Sequence, residues 1–215
     1  MPEDFVTASR ARVRREVAGE GIAVGVLNGR MGIGRVVARD AEWVELDVTL
    51  DREPPPACLV TLVLAVPRPK VMDRVIAAAA SMGVKRIFLI NSWRVEKSYW
   101  KSPKLAHLRD AAIAGLEQAR DTVMPQIETR RLFRPFVEQE LPAIAANTRK
   151  LVAHPGAPNE CPRALAEPVT LAIGPEGGFI AEEIVSLQRI GFEPVTIGPR
   201  ILRVETAVAA LLGRL

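Results

Sequence analysis

Apolar positions follow two rhythms along this chain. Between residues 21 and 52 they alternate with polar ones. From residue 59 onward, short apolar runs are separated by segments in which apolar residues recur at helical spacing. In the first region, residues 22–27 read as a strand and Asn28-Gly29 as a hairpin turn. Residues 32–38 and 43–50 read as further strands, with Val44, Leu46 and Val48 on one face of the second. Pro54-Pro55-Pro56 is stiff and has no backbone donor, so it divides the chain into units 1–53 and 57–215. Beyond it, strands are expected at 59–66, 86–90, 126–132, 150–153, 169–173 and 194–197. Helices are expected at 71–82, 103–120, 137–147, 181–190 and 206–215. Met72, Val75, Ile76 and Ala79 share one face of the first helix, and Gly83 stands where a cap would end it. This alternation predicts an α/β fold, a mostly parallel sheet with helices on both faces, behind a small β-rich unit.

Composition narrows the classes. The 215 residues are 48% hydrophobic and 25% charged, enough to bury a sizeable core. The longest apolar stretch, near 59–66, falls well short of the roughly 18–20 residues that span a bilayer. The start, Met1-Pro2-Glu3-Asp4-Phe5, has no apolar signal core, so a cytoplasmic protein without a membrane partner is expected. Cys58, Cys161, His107 and His154 are too few and too scattered for a disulfide framework or a metal site.

The net charge is +4, and its distribution matters more. Arg10, Arg12, Arg14 and Arg15 form one basic group, and Arg130, Arg131 and Arg134 another. Between them lie Arg94, Lys97, Lys101 and Lys104, with Trp93, Tyr99 and Trp100 interleaved. Aromatic rings among cations suit RNA, since bases can stack while phosphates meet the cations. A solvated surface carrying one structural tryptophan is the competing reading.

The densest chemical signal is Leu171-Ala172-Ile173-Gly174-Pro175-Glu176-Gly177-Gly178-Phe179, a glycine turn between an apolar strand and a helix opened by Glu182 and Glu183. Glycines there let the backbone turn sharply and approach a ligand. The spacing is neither the dinucleotide fingerprint nor a P-loop. A second turn, Gly198-Pro199-Arg200, follows the 194–197 strand, and a third, His154-Pro155-Gly156, follows 150–153. Ligands of open α/β sheets bind beyond the carboxyl ends of strands, so these turns could frame one pocket.

Ile173–Phe179 taken with Gly198-Pro199-Arg200-Ile201-Leu202-Arg203-Val204-Glu205-Thr206-Ala207 resembles the family that methylates N3 of a uridine in 16S ribosomal RNA. Asn28-Gly29-Arg30, Pro67, Met72-Asp73, Met82-Gly83-Val84, Glu117-Gln118 and His154-Pro155 extend the resemblance over nearly the whole chain. It implies a SPOUT methyltransferase domain with a trefoil knot, behind a PUA-like RNA-binding barrel. It also implies S-adenosylmethionine as cofactor, ribosomal RNA or the small ribosomal subunit as partner, and a homodimer.

Carried over residue by residue, the cofactor site comprises His154 and Pro155, then Ile173, Gly174, Pro175, Glu176, Gly177 and Gly178, and finally Ile197, Gly198, Ile201, Leu202 and Arg203. A side chain at Gly177 is expected to fill the crevice. Arg203 and Glu205 are the catalytic candidates, with an ion pair that only fixes the loop as the alternative. Arg10, Arg14, Arg15, Arg30, Arg94, Lys97 and Lys101 are the candidate RNA contacts.

The chain departs from the family pattern at several points. Residues 9–15 lack histidines, the N-terminal unit is short by about one strand, and an acid is missing at Ala80-Ser81-Met82-Gly83. Glu117-Gln118-Ala119-Arg120-Asp121 and Arg203-Val204-Glu205-Thr206 also differ. Two further functions therefore stay open: methylation of another RNA position, such as a ribose 2′-oxygen, or a non-catalytic ribosome-assembly factor.

Overall fold

The computed structural model describes residues 5–7, 21–40 and 44–215. Strands β1 (Phe5–Thr7), β2 (Gly21–Val26), β3 (Met31–Arg39) and β4 (Val44–Arg52) pair antiparallel in that order. The turn between β2 and β3 carries Asn28 at φ 59°, the left-handed conformation that asparagine tolerates better than most residues. Alternation gives this sheet one apolar face. Ile22 and Val36 are its buried centre, with Val44 and Leu46 packed against them. Trp43, expected to open the last strand, lies outside the described residues.

Seven strands form the second sheet: β5 (Val60–Ala65), β6 (Arg86–Ile90), β7 (Gln126–Arg130), β8 (Arg149–Ala153), β9 (Asn159–Glu160), β10 (Val169–Ile173) and β11 (Glu193–Thr196). They lie in the order β7-β6-β5-β10-β8-β11-β9, and every pairing is parallel. The central strands read as continuous apolar runs because helices cover both faces. Leu62, Val63, Leu64 and Ala65 are fully buried, as are Ile87 through Ile90. Helix α1 (Pro69–Ser81) packs against both α2 (Leu108–Ala119) and the last helix (Val204–Leu212). No helix among the described residues is long and apolar enough to cross a membrane.

Two expected helices differ in form. Residues 103–120 are not one helix. Pro103–Ala106 is a 3-10 turn started by Ser102, whose hydroxyl accepts the Lys104 N–H at 3.2 Å, and α2 begins only at Leu108. The tighter turn brings Leu105 and Leu108 onto the core side, three residues apart. Residues 137–147 instead begin at α3 (Phe133–Pro135), pass through a π turn at Phe136–Glu140 and end in α4 (Leu141–Ile144). Pro142 has no N–H for a regular turn, and the wider π turn places Phe136 and Leu141, five residues apart, both in the core. Sequence reasoning also missed β1 and β9. The latter is two polar residues without an apolar pattern.

The two sheets meet at the hairpin turn. Asn28 N–H donates to the Thr122 carbonyl at 2.8 Å, and Asn28 Oδ1 accepts the Met124 N–H at 2.9 Å. The Thr122 hydroxyl donates to the Gly29 carbonyl. Beside them, buried Asp121 pairs with Lys85 at 2.5 Å.

Candidate active site

β10, β8 and β11 are adjacent in the sheet, so the turns at their carboxyl ends meet. His154 N–H donates to the Val195 carbonyl at 2.9 Å, joining the first turn to β11. The turn after β10 folds back on itself so tightly that a Cβ at Gly174 would stand 2.8 Å from Phe179 N. Gly178 closes that turn at φ 71°, its N–H donating to the Pro175 carbonyl at 2.7 Å.

Three ties hold the turn in place. Glu176 accepts the Arg68 N–H at 2.8 Å, from the loop after β5. The Arg94 guanidinium donates to the Gly177 carbonyl, from the loop after β6. Glu183 stands in α5 (Ala181–Arg189) and is itself buried, accepting the N–H of Ile180 at 3.1 Å and of Trp93 at 2.8 Å. Paired in this way, a buried carboxylate welds two loops rather than destabilising the core.

Between the three turns lies a cleft with about 620 Å³ of empty space, partly open to solvent. Ile173, Ile197, Leu202, Val204 and Leu211 make its apolar wall, and His154, Pro155, Gly174, Pro175, Glu176, Gly178 and Ile201 complete the rim. The structure thus gathers most of the expected cofactor residues around one space. Gly177, Gly198 and Arg203 do not line it. Gly177 faces the Arg94 side chain, where an added Cβ would meet Arg94 Cδ at 2.8 Å, so a substituent there strikes Arg94 instead of filling the crevice.

Sequence reasoning passed over Ala153, Val195, Thr196, Arg200, Val204, Ala207 and Leu211, which also line the cleft. Val204, Ala207 and Leu211 lie on one face of α6 (Val204–Leu212), a spacing visible in the sequence. Arg200 is the one cation on the lining.

Arg203 and Glu205 flank Val204 without meeting. Arg203 is exposed and makes no ion pair among the described residues. Glu205 lies 4.0 Å from the Arg74 guanidinium, so its neighbour is on α1 and the Arg203–Glu205 ion pair, the alternative to a catalytic role, does not form.

The candidate RNA contacts divide. Lys97 and Lys101 are exposed and make no ion pair among the described residues, whereas Arg30 is held by Glu53 at 2.6 Å and Lys104 by Asp73. Arg10, Arg14 and Arg15 lie outside the described residues. The third basic group is largely neutralised. Hydrogen bonds to Glu140 and Glu128 push the Arg130 pKa up, and Arg134 lies 3.7 Å from Glu138. Tyr99 is buried, and that burial, with its hydrogen bond to Glu96, pushes its phenol up.

An α/β sheet whose strand ends carry backbone turns around an apolar cleft defines a small-molecule-binding protein of the open-sheet class. Comparison with known proteins makes this specific. The model of the RNA methyltransferase domain family matches residues 53–215. The ribosomal RNA small subunit methyltransferase E of Treponema pallidum is 30% identical over 207 residues, covering 93% of this chain and 77% of that protein. Its counterpart in Mycobacterium bovis is 27% identical over 215 residues, 94% of this chain and 80% of that protein. A methyltransferase from Legionella pneumophila, solved with bound S-adenosylmethionine, superposes with a TM-score of 0.69 at 26% identity, covering 93% of this chain and 84% of that one. The methyltransferase E of Neisseria gonorrhoeae, bound to S-adenosylmethionine, shares the fold with a TM-score of 0.72 at 23% identity, over 97% of this chain and 89% of that one. The chain belongs to the RNA methyltransferase family, in the branch of the ribosomal RNA small subunit methyltransferases E.

Proposed function

We propose that this protein methylates N3 of a uridine in the RNA of the small ribosomal subunit, with S-adenosylmethionine as methyl donor. The observation that carries the reading is the cleft at the ends of β8, β10 and β11. Its apolar wall, made by Ile173, Ile197, Leu202, Val204 and Leu211, suits a flat adenine. The backbone N–H groups of Ile201 and Leu202 make no hydrogen bond among the described residues, which leaves donors for a heteroaromatic ring. Ile173, Gly174, Ile197 and Leu202 would hold the cofactor, mostly through backbone. When bound, S-adenosylmethionine supplies a methyl group on a sulfonium.

Uridine N3 is a weakly acidic imide nitrogen, and it becomes nucleophilic as its proton leaves. A cation near the uracil oxygens stabilises the charge that then develops. Arg203, exposed and without an ion pair among the described residues, serves that role beside the cleft. Glu205, near Arg74, accepts a hydrogen bond from the uracil or takes its proton. Arg30, Arg94, Lys97 and Lys101, with Arg10, Arg14 and Arg15, meet the RNA backbone. The remaining parts of the proposal are a PUA-like role for unit 1–53, a SPOUT trefoil knot within 57–215, and a homodimer working in the cytoplasm without metal. Insertion of β10 between β5 and β8 supports the knotted path.

The test is transfer of labelled methyl groups to small subunits from a strain lacking the uridine-N3 enzyme, followed by nucleoside analysis. Labelled 3-methyluridine is expected. A different methylated nucleoside would move the target to another RNA position. Absence of S-adenosylmethionine binding in calorimetry would overturn the enzyme and favour an assembly factor.

A further inference from the structure

The basic group at 93–104 contains three aromatic side chains, and the structure treats them differently. Tyr99 is buried. Trp100 is half-buried, its indole N–H donating to Asn91 Oδ1 at 2.8 Å, with the Arg131 guanidinium 5.5 Å above its ring. Trp93 is 80% exposed. Large apolar rings left in water on an otherwise well-packed domain tend to mark contact sites.

Its backbone, by contrast, is fixed. Ser92 before it and Val95 after it are buried. The Trp93 N–H is held at 2.8 Å by the buried carboxylate of Glu183, which also holds Ile180 at the end of the glycine turn. The next residue, Arg94, is tied to the Gly177 carbonyl of that turn. Glu176 and Gly178, on either side of Gly177, line the cleft. The ring is therefore presented beside the cleft on a backbone clamped to the cleft's own turn. Lys97 and Lys101 lie a few residues on, exposed and without an ion pair among the described residues, in position for phosphates.

We infer that Trp93 is a stacking platform for an unpaired nucleobase of the RNA that enters the cleft, with Lys97 and Lys101 holding the adjoining phosphates. The inference rests on the RNA-methyltransferase reading and adds to it a binding residue. Stacking on an aromatic face tolerates any base, so the platform holds a strand in register and leaves target choice to the cleft. Glu183 is a positioning residue that acts through the Trp93 backbone.

The test is the affinity of the full chain for a fluorescent single-stranded fragment of small-subunit ribosomal RNA. Trp93→Ala is expected to weaken binding by about 5- to 150-fold, the range of one lost base stack, with Trp93→Phe recovering most of it. S-adenosylmethionine affinity, read by calorimetry, stays at the wild-type value in both variants. Equal RNA affinity in wild type and Trp93→Ala overturns the platform and leaves the proposed enzyme standing. If Trp93→Ala instead changes the oligomeric state by light scattering, a second copy of the chain occupies the ring and the inference falls. Failure of the wild type to bind S-adenosylmethionine would fall on the enzyme reading, and the RNA comparison would still decide the platform.

Discussion

Along β5, Leu62 through Ala65 are all fully buried, whereas along β3 buried Val36 sits between exposed Arg35 and Val37. The difference follows from what covers each sheet. The parallel sheet lies under helices on both faces and closes a core of its own around the cleft. The antiparallel sheet has one dry face with a small centre at Ile22 and Val36, and its β2–β3 turn is bonded to residues 122 and 124 of the larger unit. One sheet carries most of the buried core and the cleft. The other is an outlying leaf joined to it by the hydrogen bonds of the β2–β3 turn and by Leu27, which packs against the larger core.

The strongest challenge to this contrast is Phe88→Ala. Phe88 is fully buried with its ring centroid 5.4 Å from that of Phe136, and its truncation is expected to cost about 3–5 kcal/mol in urea unfolding. Val36→Ala should cost no more than about 2 kcal/mol and spare cofactor affinity. Equal losses of S-adenosylmethionine binding in the two variants would mean that the sheets form one cooperative unit.

Next in size is Gly174→Val. It should raise the dissociation constant for S-adenosylmethionine at least tenfold, about 1.4 kcal/mol, because the added side chain forces the turn away from Phe179 N. Gly177→Val displaces only the Arg94 side chain, so cofactor affinity should stay within a few-fold in the same titration. Reversal of that ranking would misplace the cleft.

Asn28→Ala is smaller again, about 1–2 kcal/mol. It places alanine at φ 59° and removes the side-chain bond to the Met124 N–H. Amide exchange should quicken in β2 and β3 and stay unchanged in β5. Matching acceleration in β5 would again join the two sheets.

The smallest effect concerns pH. Burial pushes the Cys161 thiol above its ordinary value, with Arg214 opposing. A raised folded-state pKa gives stability that is complete below the unfolded pKa and is lost as pH climbs through the folded one. Wild type should therefore lose a little stability above about pH 8.5, and Cys161→Ala should lack that slope in thermal melts. An unchanged slope would assign it to another group.

The strand periods and glycine turns were legible in the sequence because burial on two faces and sharp reversal both leave marks in composition. The strands expected at 86–90 and 169–173 match the structure to the residue, and of the three turns expected to share a pocket those at 154 and 174 line the cleft while Gly198 does not. What stayed hidden depends on pairing across distance. Nothing near Glu205 in sequence points to Arg74, and nothing near Trp93 points to Glu183, because these contacts exist only after β5, β6 and β10 align. Pro142 did signal a break, but the resulting π turn depends on Phe136 and Leu141 both finding core space.

The insertion of β10 between β5 and β8 also bears on how the chain is made. Strand β5 ends at Ala65, and the strand that covers its second edge begins at Val169. A ribosome adding roughly 5–20 residues per second leaves that edge open for several seconds. During that time an apolar strand has unpaired N–H and C=O groups on one side, the kind of edge that recruits foreign strands. Such long-range closure is slow by topology, so expression yield should respond more to chaperone supply and growth temperature than the finished molecule's stability would suggest.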